Sequence, residues 1–456
     1  MTVLTQIAYS GLHAAQIALL TTGQNIANVN TPGYSRVVPE LRSMSGNALG
    51  NVGGGVMVAS IRRLANDFQN QQLWRANTAV NYHDTAQQYM TALEGLISNE
   101  GSSISTGLDN FFAALSEATG TPESIVLRQQ ILLEAEQLSQ RFNTLNGNIQ
   151  IQIEALHGQR EAMVVEINGL LDNIAELNRR IVALESTGRD TATLRDHRDV
   201  LIKELSGYAS IRNHETPDGA YSVSLANGQP LVLGSTAGRL TVQQTMSGEQ
   251  VINLDFASTS FPLDPSGLGG SFGGLYDSEY GLLRPMQENL HAIAERLAQE
   301  VNDLLAQGYD LNGNNPGKPL FIYNPDSITS MLQLAPLGPD ELAFSAAADE
   351  PGNNKILLQL LEIRHQGFDI GGSEVTFNDA YAVLLSRVAS ISRQNQADLQ
   401  SAQTVLDEAQ AQRDSTSAVH LDEEAINLMT YMQAYQANMK VIATSNELFA
   451  ALLAMF

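Results

Sequence analysis

Residues 1–35 contain no Asp, Glu, Lys or Arg, although charged residues make up 16% of the chain. A surface helix of a globular protein carries charge on its outer face. A helix with none has to pack on several sides. Through the stretch runs a 4-3 spacing of apolar and small residues, Ala8, Leu12, Ala15, Leu19, Thr22, Ile26 and Val29, which is a helical stripe. The C-terminus repeats the pattern more strictly: Leu421, Ala425, Leu428, Met432, Tyr435, Met439, Ile442, Asn446, Phe449 and Leu453 alternate steps of four and three. Asp422, Glu423 and Glu424 fall in its first turn, where carboxylates meet the positive end of the helix dipole. Beyond Ala425 the only charges are Lys440 and Glu447. Both ends therefore read as uncharged helices with apolar seams, paired with one another in an antiparallel or related coil.

The interior has a different texture. No Pro follows Pro351 and no Gly follows Gly372, so the last 84 residues could extend about 126 Å as unbroken helix. The polar run Asp414, Ser415, Thr416, Ser417 is the expected break, a cap-rich joint between two long helices. A second long coil is predicted over 138–184, with Leu138, Phe142, Leu145, Ile149, Leu156, Met163, Ile167, Leu170, Ile174, Leu177, Ile181 and Leu184 on its seam. Gln152 and Arg160 share that seam and should loosen it. Another helix is expected over Asn66 to Ile97. Between Tyr208 and about Tyr276, alternating Tyr221, Val223 and Leu225, a turn at Asn227-Gly228, then Leu231 to Leu233 read as a β-hairpin. Gly267 to Gly274 reads as a flexible return. The expected fold is mainly α with an inserted β domain, in an elongated multidomain chain. Residues 1–60 and 415–456 form a discontinuous terminal coiled-coil domain. Residues 61–207 and 276–414 form a helical rod with a short irregular or β part near 311–374, and 208–275 form a small β-rich outer domain.

The formal net charge of −24 opposes binding to nucleic acid or anionic membrane, which need positive charge facing phosphate. Cysteine is absent, which excludes disulfides and thiolate metal sites. The first twenty residues are fairly apolar, but no Lys or Arg precedes Arg36, so the positive n-region of a cleaved signal is missing. No uninterrupted run approaches the roughly 18 apolar residues of a membrane span.

No motif in the sequence points to catalysis or to metal binding. No two of His13, His83, His157, His197, His214, His291, His365 and His420 stand at helical metal-ligand spacing. The glycine-rich 267–274 stretch lacks both the P-loop Lys-Ser/Thr and the GxGxxG spacing. Asp310, Asn312 and Asn314 open like a calcium loop, but Asn315 and Phe321 stand where that loop needs Gly and Glu, so 309–317 reads as a turn. The acidic trio 422–424 is explained by a helix start without invoking paired catalytic carboxylates, and the lone Trp74 reads as a packing residue. No catalytic, metal or cofactor-binding residue is assigned and no enzyme activity is expected.

Residues 27–36 read ANVNTPGYSR. As local chemistry this is a helix stop: Asn28 and Asn30 tolerate the left-handed region, Pro32 cannot continue the helix, and Gly33 permits positive φ. As a whole string it resembles the N-terminal signature of flagellar rod, hook and hook-associated proteins. The C-terminal stretch 421–453 is similar to the matching helix of that superfamily. LRDHRDVLIKELSGYASI (194–211), GYDLNGNNPGKPLF (308–321) and LQLAPLGPDELAFSAA (332–347) resemble segments of the hook-associated protein 1 family. Two departures are Ala418, where that family often has Gly, and a chain shorter than its longer members.

The resemblance implies a structural subunit of the bacterial flagellum that joins hook to filament and serves as platform for filament assembly. It implies export through the flagellar type III channel without a cleaved signal peptide, and an extracellular place at the hook–filament junction. Expected partners are further copies in a ring or short helical layer, the hook protein, the second hook–filament junction protein and an export chaperone for the C-terminal helix. Nucleic acid and membrane insertion are not expected. Alternatives are the hook protein or another axial component and, from a different class, a secreted enzyme or adhesin carried on an axial scaffold. Assembly residues are expected at the N-terminal joint (Asn28, Asn30, Thr31, Pro32, Gly33, Tyr34) and along the C-terminal seam (Leu421, Leu428, Met432, Tyr435, Met439, Ile442, Phe449, Leu453).

Overall fold

The long stretches free of Gly and Pro become long helices. A computed structural model describes residues 3–44, 54–98, 103–246, 248–370 and 373–455. In chain order the α-helices are α1 (Val3–Ala27), α2 (Asp67–Ile97), α3 (Ile104–Ala118), α4 (Ile125–Glu185), α5 (Ala192–Tyr208), α6 (Gly270–Ser278), α7 (Arg284–Ala306), α8 (Lys355–Glu362), α9 (Phe377–Ser417) and α10 (Leu421–Leu453). A π-helical turn, Glu279–Leu283, lies between α6 and α7. The strands are short and all pair antiparallel. They are β1 (Val37–Met44) with β2 (Gly55–Arg63), then β3 (Ile211–Glu215), β4 (Tyr221–Leu225), β5 (Pro230–Leu233) and β6 (Thr236–Ala237) in one sheet. β7 (Arg239–Gln244), β8 (Gln250–Phe256) and β9 (Thr259–Pro262) form a second. The hairpins β10 (Phe321–Tyr323) with β11 (Leu332–Leu334) and β12 (Gly367–Ile370) with β13 (Ser373–Thr376) complete the set. The chain divides into two compact units, one of residues 1–81, 163–270 and 401–456, the other of 82–162 and 271–400.

In the first unit, the buried apolar residues include Ile167, Leu171, Ile174 and Ile181 of α4, Ile202 and Leu205 of α5, and Val223, Val232 and Leu254 of the sheets. Each such side chain contributes about 1.5–3 kcal/mol on burial. The β4–β5 hairpin turns at Asn227-Gly228 with Gly228 at φ +92°, as the sequence predicts. The β1–β2 hairpin has no counterpart in the sequence expectations. It leaves α1 and returns along it, and Ser10 Oγ accepts the Val56 N–H at 3.1 Å. By length and composition α1 could cross a membrane. Here its Ala8, Ala15, Ala18, Thr22 and Asn25 are buried instead, where it packs on β1, β2 and α10.

In the second unit, Leu138, Phe142, Leu145 and Ile149 of α4 are buried, as are Phe111 and Phe112 of α3 and Leu290, Ile293, Leu297 and Val301 of α7. The Phe111 and Phe321 rings meet edge to face with centroids 5.8 Å apart. Arg160 does sit on the α4 seam, but it is buried and answered. Its Nη2 donates to Glu279 Oε2 at 2.8 Å, and His157 and Arg284 reach the other carboxylate oxygen at 3.0 and 2.7 Å. Burial opposes the Glu279 charge, yet hydrogen bonds from Arg160, His157 and Arg284 hold its pKa below the usual range.

One device recurs. Five helical asparagines turn their carboxamides onto a strand residue and bond both its N–H and its C=O: Asn25 on Val37, Asn143 on Leu332, Asn168 on Leu240, Asn178 on Tyr221 and Asn302 on Phe321, at 2.8–3.1 Å. A short strand otherwise leaves backbone groups unpaired. The amide side chain replaces a missing neighbouring strand.

Three local expectations shift. The 267–274 stretch is helical from Gly270, because Phe272 and Leu275 are buried and the helix needs glycine to approach α2: a Cβ on Gly274 would stand 2.5 Å from the Tyr82 carbonyl oxygen. The polar run 414–417 forms the last turn of α9, and the chain breaks just beyond it, over Ala418 to His420. On the α4 seam, Ile153 and Leu171 are the buried residues where steps of four and three point to Gln152 and Leu170.

Candidate assembly surface

Helices α1 and α10 pack antiparallel. Thr5 meets Ser445 at 2.8 Å near one end, and Asn25 Nδ2 donates to Glu424 Oε2 at 3.2 Å near the other. Midway the helices approach closely, since a Cβ on Gly11 would fall 2.7 Å from Asn438 Oδ1. The covered line of α10 is Glu424, Asn427, Tyr431, Tyr435, Asn438, Ile442 and Ser445. It is largely polar.

The apolar seam lies roughly a quarter turn away at 3.6 residues per turn, and it faces outward. Leu421, Leu428, Met432, Met439, Phe449 and Leu453 are 52, 38, 47, 48, 53 and 61% exposed. Tyr435 and Ile442 belong to both lines and are half-buried. Val3, Tyr9 and Leu20 of α1 and Ile426 and Met429 of α10 are exposed as well. Exposed apolar side chains along one line of a helix make this face a candidate for burial by a partner.

The joint motif closes α1 through local bonds. Asn28 Nδ2 donates to the Gln24 carbonyl at 2.9 Å, Thr31 Oγ1 to Asn28 Oδ1 at 3.1 Å, and the Tyr34 N–H to the Thr31 carbonyl at 3.2 Å. Gly33 alone in this loop takes positive φ, +76°; neither Asn28 nor Asn30 does. A Cβ on Gly33 would lie 2.2 Å from Val200 Cγ2. Asn30, Thr31 and Pro32 are exposed. Pro32 and Gly33 also help to line a groove of about 830 Å³ bounded by Trp74, Val200, Lys203 and Arg413.

Beneath the motif is a buried polar node absent from the sequence expectations. Asn25 is 1% exposed. Besides pairing with Val37 and Glu424, it accepts the Tyr34 hydroxyl at 2.9 Å. Arg36 pairs with Glu423 at 2.6 Å and Glu424 at 2.7 Å; the Glu424 approach is Coulombic, its angle lying outside hydrogen-bond geometry. The Arg36 N–H donates to the Ser417 carbonyl at 2.8 Å, and Arg413 Nη2 donates to the Gly33 carbonyl at 3.2 Å. The Ser35 N–H donates to Asp196 at 3.1 Å, and Arg63 bridges Asp196, at 2.6 Å, and Asp199.

Charge and burial set the protonation states here. Burial, then the nearby Asp196 and Glu424 charges, push the Tyr34 hydroxyl up to about 12. Burial works against the Arg63 charge, but Asp199 and Asp196 outweigh it and raise its pKa. Burial raises Asp196 in spite of Arg63 and the Ser35 N–H. The acidic trio 422–424 thus does more than meet the helix dipole. One sequence signal pointed there: Arg36 is the first charge in the chain, and the trio opens the opposite terminal helix.

Among the described residues, no group of three His, Asp or Glu side chains is placed to hold a metal ion. His83, His157 and His291 bond to Asn395, to Glu279, and to Tyr323 and Asn146. Asp310 accepts the N–H groups of Asn312 and Asn314 at 2.9 and 2.8 Å, a closed turn.

Comparison with known proteins adds independent findings. Residues 90–321 match the family model of the flagellar hook-associated protein FlgK helical domain. Residues 6–34 match that of the flagella basal body rod protein, and 410–455 that of the flagellar basal body rod FlgEFG protein C-terminal. Flagellar hook-associated protein 1 of Salmonella typhimurium is 27% identical over 553 aligned residues, covering 99% of this chain and all of the relative. That of Escherichia coli is 26% identical, with the same coverage, and that of Bacillus subtilis 23%, over 97% of this chain and 96% of its own. The flagellar hook junction protein FlgK of Burkholderia pseudomallei has a similar fold, with a TM-score of 0.68 at 16% identity over 75% of this chain and 99% of its own.

Proposed function

The chain belongs to the flagellar hook-associated protein FlgK family, and on that footing we propose that it is a structural subunit joining hook to filament and supporting filament assembly. The observation that carries the proposal is the outward apolar seam of α10, on a terminal helix pair that closes on itself through polar contacts. Such a seam gains its burial only from neighbours. The helical-domain match over 90–321 favours this role over the hook protein, for which less helix is expected between 60 and 200.

In this proposal 1–60 and 415–456 act as the terminal assembly domain, 61–207 and 276–414 as the rod and 208–275 as the outer β domain. The seam residues Leu421, Leu428, Met432, Tyr435, Met439, Ile442, Phe449 and Leu453 meet further copies, and Asn28 to Tyr34 shape the joint. The hook protein and the second junction protein are the axial neighbours, and an export chaperone covers the C-terminal helix beforehand. Export is without a cleaved signal, and no catalytic role is assigned. The test is electron microscopy of a deletion strain with an assay for flagellin in the medium. Hooks of normal length without filaments, and flagellin lost to the medium, are expected. Absent or misshapen hooks would move the protein to hook or rod, and intact motile filaments would overturn a structural role.

A further inference from the structure

The chain has twelve methionines and no cysteine. With thiols absent, the thioethers are the side chains that hydrogen peroxide and related two-electron oxidants attack first. The single indole, Trp74, is buried and out of reach. The fold sorts the sulfurs into two sets. Met90, Met163, Met286 and Met331 are buried, whereas Met429, Met432 and Met439 of α10 are about half exposed. Met432 and Met439 stand seven residues apart, two turns along one line of the helix, and Leu428 extends that line towards the start of α10. Met429 lies one turn before Met432, at the edge of the same face. A thioether fills irregular apolar gaps without demanding one rotamer, which suits a surface that must fit a neighbour. Leucine would do so without the risk of oxidation.

We infer that Met429, Met432 and Met439 are oxidation sites of the unassembled chain, and that their conversion to sulfoxides closes the α10 face to further copies. The inference rests on the proposal that this face is the assembly surface. In the step itself a sulfur lone pair attacks a peroxide oxygen, the O–O bond breaks, a sulfur–oxygen bond forms and water leaves. The thioether loses two electrons and the peroxide gains them. The product is polar and has to be desolvated when a copy covers it, which opposes burial. The buried sulfurs are spared, so the chain keeps its fold while its assembly face is blocked. A copy already covered by its neighbours is protected. The change is reversible, because methionine sulfoxide reductases restore the thioether, with a dithiol oxidised to a disulfide and the oxygen released as water.

The purified full-length chain is treated with hydrogen peroxide, mapped by peptide mass spectrometry, and added to cells of a deletion strain whose filaments are then counted. Met429, Met432 and Met439 should convert about tenfold faster or more than Met163, Met286 and Met331; equal rates would overturn the inference. The treated chain should restore about tenfold fewer filaments than the untreated one, the size expected from burying an unpartnered polar group. Equal numbers would overturn the inference and leave the junction role standing. An untreated chain that restores no filaments would instead count against the junction role, and the inference would fall with it. The triple variant Met429→Leu, Met432→Leu, Met439→Leu, scored against its own untreated sample, should lose little on peroxide treatment. Met246→Leu, in the β7–β8 turn, should stay as sensitive as the parent. A triple variant that loses as much as the parent would overturn the assignment. Should that variant not assemble at all, the oxidised parent is treated with methionine sulfoxide reductase and a dithiol. Filaments should return with the thioethers, and restored thioethers without filaments would overturn the inference.

Discussion

Met432→Asp separates assembly from folding. Met432 is 47% exposed, so about half of the 1.5–3 kcal/mol available from burying a Met side chain is still to be gained, roughly 1 kcal/mol per contact. An aspartate there forfeits that gain and must be desolvated when a neighbouring copy covers it, at several kcal/mol for an unpaired carboxylate. The combined loss is about 3 kcal/mol or more, over a hundredfold in the association constant. In the isolated chain the position stays half in water, and the change should lie within about 0.5 kcal/mol. Urea unfolding of the purified variant should therefore match the parent, while a strain carrying only the variant should fail to build filaments on its hooks. Wild-type filament formation would refute the outward seam as the assembly surface. A purified variant weakened by more than about 1 kcal/mol would show that Met432 already serves the monomer. Ile442→Asp is the informative contrast. Ile442 is half-buried on the line that faces α1, so both measurements should fall.

Glu279→Ala leaves Arg160, 2% exposed, without its carboxylate. It should cost about 3–5 kcal/mol, read as a lower urea midpoint for the 82–162 and 271–400 unit. Gly33→Ala forces a left-handed φ on a residue with a Cβ, at about 1–2 kcal/mol, and drives that Cβ into Val200, at about 1–3 kcal/mol more. Denaturant unfolding followed in the first unit should show the sum. Tyr34, pushed up to about 12, keeps its proton more tightly in the folded chain than in the unfolded one, where tyrosine titrates near 10. Its contribution is complete below pH ~10 and is lost as pH rises towards ~12. Alkaline unfolding should thus be less steep in Tyr34→Phe, and an unchanged profile would refute the assignment.

Most helices could be read before any coordinates, because periodicity over dozens of residues is a strong signal. The seam of α4 and the two terminal helices follow from it, and the Asn227-Gly228 turn follows from glycine's access to positive φ. The β1–β2 hairpin could not be read the same way. Its strand β1 contains Pro39, and its outer residues Leu41, Met57 and Ile61 stay exposed, so neither burial nor alternation marks it. The helical start of 270–278 was hidden for the opposite reason. Glycines that look like a loop in one dimension are what allow a helix to press against Tyr82 and Thr85.

The joint was half legible. ANVNTPGYSR marks where α1 stops, but of the side chains that fix the stop only Arg36 belongs to the string; Asn25, Asp196, Arg413 and Glu424 lie outside it. Their contacts span sequence separations of up to 399 residues, which no local pattern encodes. Periodicity, in turn, names the apolar line of α10 without naming what covers it. Pairing seam to seam with α1 is the economical guess for a monomer. The chain instead turns Asn427, Asn438 and Ser445 towards α1 and leaves Leu428, Met432 and Met439 in water. For a monomer that arrangement wastes burial. In the proposed assembly the arrangement makes sense: the apolar face is left for a further copy and the internal pairing is given to hydrogen bonds, which the unassembled chain can exchange for water at little net cost.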